Sequence, residues 1–93
     1  MKNRIKELDD LIFYSIDKAS PYALAQNPMD NTLDKISDLT LAQLSILPQG
    51  AAIMWLWINA HSGKYHAKPV PATIAGKVET VKQVIEAVYA TIP

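Results

Sequence analysis

The run GAAIMWLWINAH, residues 50–61, constrains the fold more than any other part of this chain. Wound as an α-helix it is apolar on nearly every side, which is typical of a helix wedged between other helices. Its longest uninterrupted apolar part, 51–58, is far shorter than the roughly 20 residues that span a membrane. Pro48 suits a first helical turn because its missing N–H needs no partner there. We therefore predict a central helix from Pro48 to His61 and no membrane span.

Two amphipathic helices are predicted to flank the central one. The first runs from about Asn3 to Lys18 and ends before Pro21, because proline disfavours helical geometry in the residue that precedes it. The last covers 80–91, where Thr80 and Gln83 have the T-x-x-Q spacing of a capping box. Their apolar positions recur at helical spacing; these are Ile5, Leu8, Leu11, Ile12 and Ile16 in the first helix, and Val81, Val84, Ile85, Val88 and Ile92 in the last.

The connections between these helices have their own signals. Residues 20–47 are interrupted by proline and asparagine yet contain seven leucine and isoleucine residues from Leu33 to Leu47, so we predict a structured loop with one or two helical turns that packs into the core. Gly63 is expected to end the central helix in a left-handed conformation. Pro71 and Gly76 are placed to open and close a short helix over 71–76.

Length, charge and cysteine content exclude several classes of protein. The 93 residues suffice for one domain, which we assign to 1–93. The chain has no cysteine and begins with a charged segment, which favours a soluble cytoplasmic protein without a signal peptide. Residues 1–46 have a net charge of −2 and residues 47–93 of +2, so no dense basic stripe for nucleic acid is predicted.

The segment VPATIAGKVETV, residues 70–81, resembles one family of small helical proteins. Acyl carrier proteins have at this place I-P or V-P, a short helix containing A-x-K-[IV], and T-V at the start of the last helix. The matching residues here are Val70, Pro71, Ala75, Lys77, Val78, Thr80 and Val81. The resemblance implies an all-α, carrier-like bundle of three main helices, with one short helix before the last and a long first loop.

That resemblance also implies a function. A carrier tethers an acyl or related group as a thioester of 4′-phosphopantetheine and presents it to acyl-transfer or condensing enzymes, as in fatty acid or polyketide biosynthesis. It is not itself an enzyme, since the chemistry belongs to the cofactor and the partners. Ile74 and Val78 are then expected to close the side of the bundle where the acyl chain lies.

The sequence departs from the family where the cofactor is attached. A carrier has a serine, usually in D-S-L, at the N-terminus of its central helix, where the helix end favours the phosphate. Alignment places Pro48 or Gln49 at that position, and a second register places Gln43 there. The nearest serine is Ser45, which we take as the candidate attachment site; an ordinary loop hydroxyl or helix cap is the alternative.

The central helix supplies a candidate docking surface. Residues 47–63 contain no acid, whereas carriers usually present an acidic central helix to basic partners. Trp55 and Trp57 diverge by roughly 200° on a helix, so one is expected in the core and the other at an interface, with Met54 beside them. This surface supports the alternative function, a carrier relative without phosphopantetheine that acts as a non-covalent protein-interaction module.

Other polar residues give weaker signals. His61 and His66 lack the further ligands that zinc needs and are predicted to be solvated. Lys64 and Lys68 form at most a weak anion patch beside them. Asp9 and Asp10 point about 100° apart on a helix and are expected to be solvated charges rather than a catalytic pair. A small DNA-binding or regulatory protein is a third alternative, which salt-sensitive binding to nucleic acid would reveal.

Overall fold

The computed structural model describes residues 4–22 and 33–93, and these ranges form an all-helical bundle. The elements are α1 (Lys6–Ala19), α2 (Pro48–His61), α3 (Ala72–Ala75), α4 (Val81–Tyr89) and two 3-10 turns, Leu33–Ile36 and Ser62–Tyr65. Within these ranges there is no β-strand, only an isolated antiparallel bridge between Thr40 and Thr80. No helix in the described part of the chain is long and apolar enough to cross a membrane. The all-α class predicted from the sequence is confirmed.

Helix α1 begins later and ends later than its pattern predicts. Asn3 lies outside the described residues, and Ile5 is the extended residue that precedes the helix. The inward face carries Leu8, Ile12 and Ile16, none of which is exposed to solvent. The helix ends at Ala19, one residue beyond the predicted Lys18, and Ser20 still donates its amide to a helical carbonyl.

Helix α2 has the predicted bounds, Pro48–His61, and its first turn packs closely against the end of α1. A Cβ atom on Gly50 would lie 3.2 Å from the carbonyl oxygen of Ala19, so a side chain there would push the two helices apart. The predicted left-handed Gly63 is wrong, since no glycine has a positive φ. A 3-10 turn follows the helix instead, and His66 takes the left-handed conformation at its end, with φ of 67°.

The described part of the long first connection contains the 3-10 turn Leu33–Ile36 and, just before α2, a capped helical turn. The Thr40 hydroxyl accepts the amide of Gln43 at 3.0 Å, and the Gln43 side-chain oxygen accepts the amide of Thr40 at 2.8 Å. At the other end Ser45 is left-handed, with φ of 56°, and Ile46 donates its amide to the carbonyl of Leu41 at 2.9 Å. This pattern is a Schellman motif, so the turn over 41–45 is closed at both ends. Asn27, Pro28 and Asn31, which are among the prolines and asparagines that interrupt this connection, lie outside the described residues.

Helices α3 and α4 are separate, as predicted. Thr80 and Gln83 form the predicted capping box at the start of α4. Gly76 ends α3, as predicted, but in a right-handed conformation rather than the left-handed one in which glycine often ends a helix. The buried face of α4 contains the predicted Val81, Val84, Ile85 and Val88, and in addition Tyr89.

Backbone hydrogen bonds join the turn over 41–45 to the start of α4. The amide of Leu41 donates to the carbonyl of Glu79 at 2.8 Å, and the amide of Val81 donates to the carbonyl of Leu39 at 3.0 Å. The two T-x-x-Q capping boxes therefore lie side by side, linked through the Thr40–Thr80 bridge. This arrangement holds the segment before α2 next to the junction between α3 and α4.

Tyr89 ties the N-terminal end of α1 to the end of α4. Its hydroxyl donates to Asp9 Oδ1 at 2.6 Å and accepts the amide of Ile5 at 2.9 Å. Arg4 donates its Nε to Asp9 and also pairs with Asp34 at 3.2 Å. The prediction that Asp9 is merely solvated is therefore wrong, because its carboxylate accepts hydrogen bonds from Arg4, which precedes α1, and from Tyr89 of α4. Asp10 is exposed and pairs with Lys6, four residues before it.

Replacement of Tyr89 by phenylalanine is expected to lower the free energy of unfolding by about 1–2 kcal/mol at neutral pH, since Asp9 and the Ile5 amide lose a partner. Burial, with the hydrogen bond to Asp9, raises the pKa of Tyr89. As the pH rises, the phenol ionises in the unfolded chain before it ionises in the folded one. The stability that Tyr89 contributes is therefore intact below about pH 10 and is lost as the pH rises above that value. Denaturant titrations from neutral to alkaline pH should show a smaller loss in Tyr89→Phe than in the parent. Tyr14→Phe, which removes an exposed phenol, should retain the parent's profile; equal profiles for parent and Tyr89→Phe would contradict the assignment.

Candidate binding groove

A groove of about 570 Å³ lies between the turn that precedes α2, one face of α2, and α3 with the residues around it. Such a volume is within the range of small-molecule sites. The lining residues are almost all apolar and many are small; they are Leu41, Ala42, Ile46, Pro48, Ala51, Ala52, Trp55, Asn59, Val70, Ala72, Ala75, Gly76, Val78 and Glu79. The alanines leave space between the elements that larger side chains would fill.

The wall formed by α3 is lightly packed. The helix has one turn, Ala72–Ala75, and contains no buried residue. The segment before it is held more firmly, since the amide of Val70 donates to Asn59 Oδ1 of α2 at 3.0 Å. Of the two residues predicted to close this side, Val78 lines the groove, but Ile74 does not and is 48 % exposed. This wall is thus anchored at its start, while the helix itself buries no residue completely.

Ser45 lies beside the groove rather than in its lining. The neighbouring Ile46 lines the groove, whereas the Ser45 hydroxyl donates to the hydroxyl of Tyr22 at 3.2 Å. The left-handed backbone of Ser45 belongs to the Schellman motif, a position usually taken by glycine. The residue that precedes the first turn of α2 is Leu47, which offers no side-chain cap. Gln43 caps its own turn, which accounts for it without a role in attachment.

The two tryptophans of α2 lie on different sides of the helix, as their spacing predicts. Trp55 is 7 % exposed and lines the groove. Trp57 is half-buried and packs against Tyr14 and His61, with ring centroids 5.8 Å and 4.6 Å away. Met54 is completely buried, so its side chain presents no surface to a partner and does not belong to the docking surface that we consider below.

The exposed face of α2 consists of residues other than the tryptophans. Ile53 and Leu56 are 55 % and 71 % exposed, and Leu47, just before the helix, is 67 % exposed. Between 47 and 60 the chain carries no charged residue. The sequence contained this signal, since positions 49, 53, 56 and 60 follow helical spacing, but an all-round apolar helix does not reveal which side its neighbours leave open.

The basic loop after α2 does not form a metal site. Within 4–22 and 33–93 no group of three or more histidine, cysteine or acidic residues is placed to hold a metal ion. His61 is exposed against the Trp57 ring, and His66 is exposed at the left-handed end of its turn. Lys64 lies over the ring of Tyr65, 5.6 Å from its centre.

Comparison with protein-family models, curated proteins and solved structures finds no match to this chain. Two functional candidates in the groove, Asn59 and Glu79, were missed from the sequence. Asn59 lies in an otherwise apolar helix, which was a usable signal, whereas the position of Glu79 depends on the bridge between distant segments. The groove is therefore the main candidate for a functional site.

Proposed function

We propose that the protein is a carrier-like domain that holds an acyl or related apolar chain in the groove and presents it to acyl-transfer or condensing enzymes. The observation that carries this proposal is the apolar groove of about 570 Å³ between α2 and α3. Transfer of apolar surface from water stabilises a bound chain by about 0.8 kcal/mol for each buried methylene. Six buried methylenes would contribute on the order of 5 kcal/mol, enough to favour the sheltered state over a chain in water.

In this proposal Ser45 is the site of 4′-phosphopantetheine attachment. It lies just before α2, whose first turn has unsatisfied amides that favour a phosphate group. Residues 47–63 contain no acid that would repel the phosphate. The hydroxyl of Ser45 is hydrogen-bonded only to the exposed Tyr22 among the bonds of the described residues, so a modifying enzyme has to displace one weak contact.

Intact-mass measurement tests the attachment. Incubation with coenzyme A and a broad-specificity phosphopantetheinyl transferase is expected to increase the mass by one phosphopantetheine, and Ser45→Ala is expected to abolish the increase completely. Ser37→Ala is the matched control, because it removes another hydroxyl of the same connection and should leave the increase unchanged. An increase that persists in Ser45→Ala would place the attachment elsewhere.

A second candidate function is a non-covalent interaction module without phosphopantetheine. It is favoured by the exposed, uncharged face of α2, where Leu47, Ile53 and Leu56 remain open to solvent. Leu47, rather than a hydroxyl residue, precedes the first turn of that helix. If several transferases give no increase in mass, the covalent carrier is refuted and this second function is favoured.

A further inference from the structure

Trp55, one of the residues that line the groove, has a buried polar atom without a partner in the described part of the chain. The residue is only 7 % exposed. Its Nε1–H is buried and has no hydrogen-bond partner among the described residues. Buried tryptophan N–H groups usually find an acceptor, and leaving one without a partner costs about 1–3 kcal/mol. An unpaired donor of this kind therefore calls for an explanation.

A second donor lies one helical turn away on the same wall. Asn59 also lines the groove, and residues four apart on a helix are neighbours. The Asn59 oxygen accepts the amide of Val70, and this bond identifies the other terminal atom as the NH₂ group, a donor. The two side chains thus supply two donor groups, while the Asn59 oxygen keeps one lone pair.

The charge of the lining restricts the chemistry of the ligand further. Among the described residues that line the groove, Glu79 is the single charged one, and no lysine, arginine or histidine accompanies it. A carboxylate or phosphate inside the groove would find no counter-ion and would be repelled by Glu79. A neutral oxygen avoids this repulsion and still accepts a hydrogen bond.

We propose that the groove selects a neutral apolar chain that carries a carbonyl oxygen, and that Trp55 Nε1–H and the Asn59 NH₂ group donate to that oxygen. The inference rests on the proposed use of the groove for an acyl-type chain and specifies its chemical class. Trp55 Nε1 is covered by protein atoms, so the oxygen reaches it only when the side chains around the indole move aside.

Two-dimensional NMR of the ¹⁵N-labelled chain tests the hydrogen bond directly. The spectrum contains two indole N–H signals, which Trp57→Phe assigns. Titration with methyl hexyl ketone is expected to move the Trp55 indole signal downfield and to leave the Trp57 signal in place. Octane, which has the same carbon count without oxygen, should perturb the methyl groups of the groove but not shift the indole signal downfield, and octanoate should bind more weakly than the ketone.

Trp55→Phe retains an apolar ring and removes the donor. The affinity for methyl hexyl ketone is expected to fall about threefold to tenfold in this variant, while the affinity for octane stays level; Trp57→Phe should change neither. If Trp55→Phe does not fold, the indole shift in the parent still decides the question.

The possible outcomes separate the inference from the function on which it rests. Equal binding of ketone and octane, without a downfield indole shift, would overturn the carbonyl selection and leave the groove as a chain-binding site. Tighter binding of octanoate than of ketone would also overturn it. If none of the three probes perturbs the groove, both the proposed chain binding and the selection fail.

Discussion

Replacement of Ile85 by alanine is expected to lower the free energy of unfolding by about 2–4 kcal/mol. Ile85 lies in the middle of α4 and is 2 % exposed. Alanine removes three heavy atoms from a core in which Val81, Val84 and Val88 of the same helix are also almost completely buried. The lost transfer free energy adds to the cost of the cavity, which the surrounding helices fill only in part.

Denaturant midpoints of parent and variant measure this loss. Glu86→Ala is the matched control, since Glu86 is the next residue along the helix and is exposed. The free energy of unfolding of this control should stay within about 0.5 kcal/mol of the parent's. Equal stability of Ile85→Ala and Glu86→Ala would mean that α4 buries a different face. Tyr89→Ala does not discriminate between the faces, because Tyr89 is also 2 % exposed.

The elements that the sequence predicted well are those whose signals are local. The bounds of α2 follow from Pro48 at its start and from a run that stays apolar to its end. The start of α4 follows from Thr80 and Gln83, whose side chains satisfy each other's backbone amides without help from the rest of the chain. Where the side chains of a segment determine its own hydrogen bonds, a single sequence is enough.

The helix ends were harder because several residues compete to take the left-handed position. Gly63 has open space where a side chain would lie, and its φ is not positive. The left-handed conformation is instead adopted by Ser45 and His66. Glycine lowers the cost of that conformation but does not determine where the chain turns. The turn over 41–45 has a local signal of its own, since Thr40 and Gln43 repeat the spacing of Thr80 and Gln83.

The groove could not have been predicted from the sequence, because its small residues come from three separate segments. Ala42, Ala51 and Ala75 are unremarkable in their own surroundings and form a groove only after the Thr40–Thr80 bridge holds the first segment beside the third. Non-local pairing of this kind leaves no periodic signal. The unpaired Trp55 Nε1 is likewise a property of the packed chain, since any tryptophan on a helix has that N–H.

Insertion of a large side chain into the groove is expected to weaken the binding of an apolar chain strongly. Ala52 lines the groove and is exposed, so a larger residue at this position meets no packed core. In Ala52→Trp the indole can transfer apolar surface from water into the neighbouring groove, and this burial favours the inserted over the solvent-exposed rotamer. The ring then occupies the space that a bound chain needs.

Ala52→Trp is therefore expected to weaken the binding of methyl hexyl ketone tenfold or more, as measured by the ¹⁵N NMR titration, because the ligand must first expel the inserted ring. Ala60→Trp is the matched control: Ala60 is also an exposed alanine of α2 but does not line the groove, so its affinity should equal that of the parent. Thermal unfolding of both variants should stay close to the parent, since neither position is in the core. Unchanged affinity in Ala52→Trp, or an equal loss in both variants, would mean that the chain binds elsewhere on the molecule. The phosphopantetheinyl transferase reaction at Ser45, which lies outside the lining, should proceed equally in both variants, because attachment of the cofactor does not require the groove to be open.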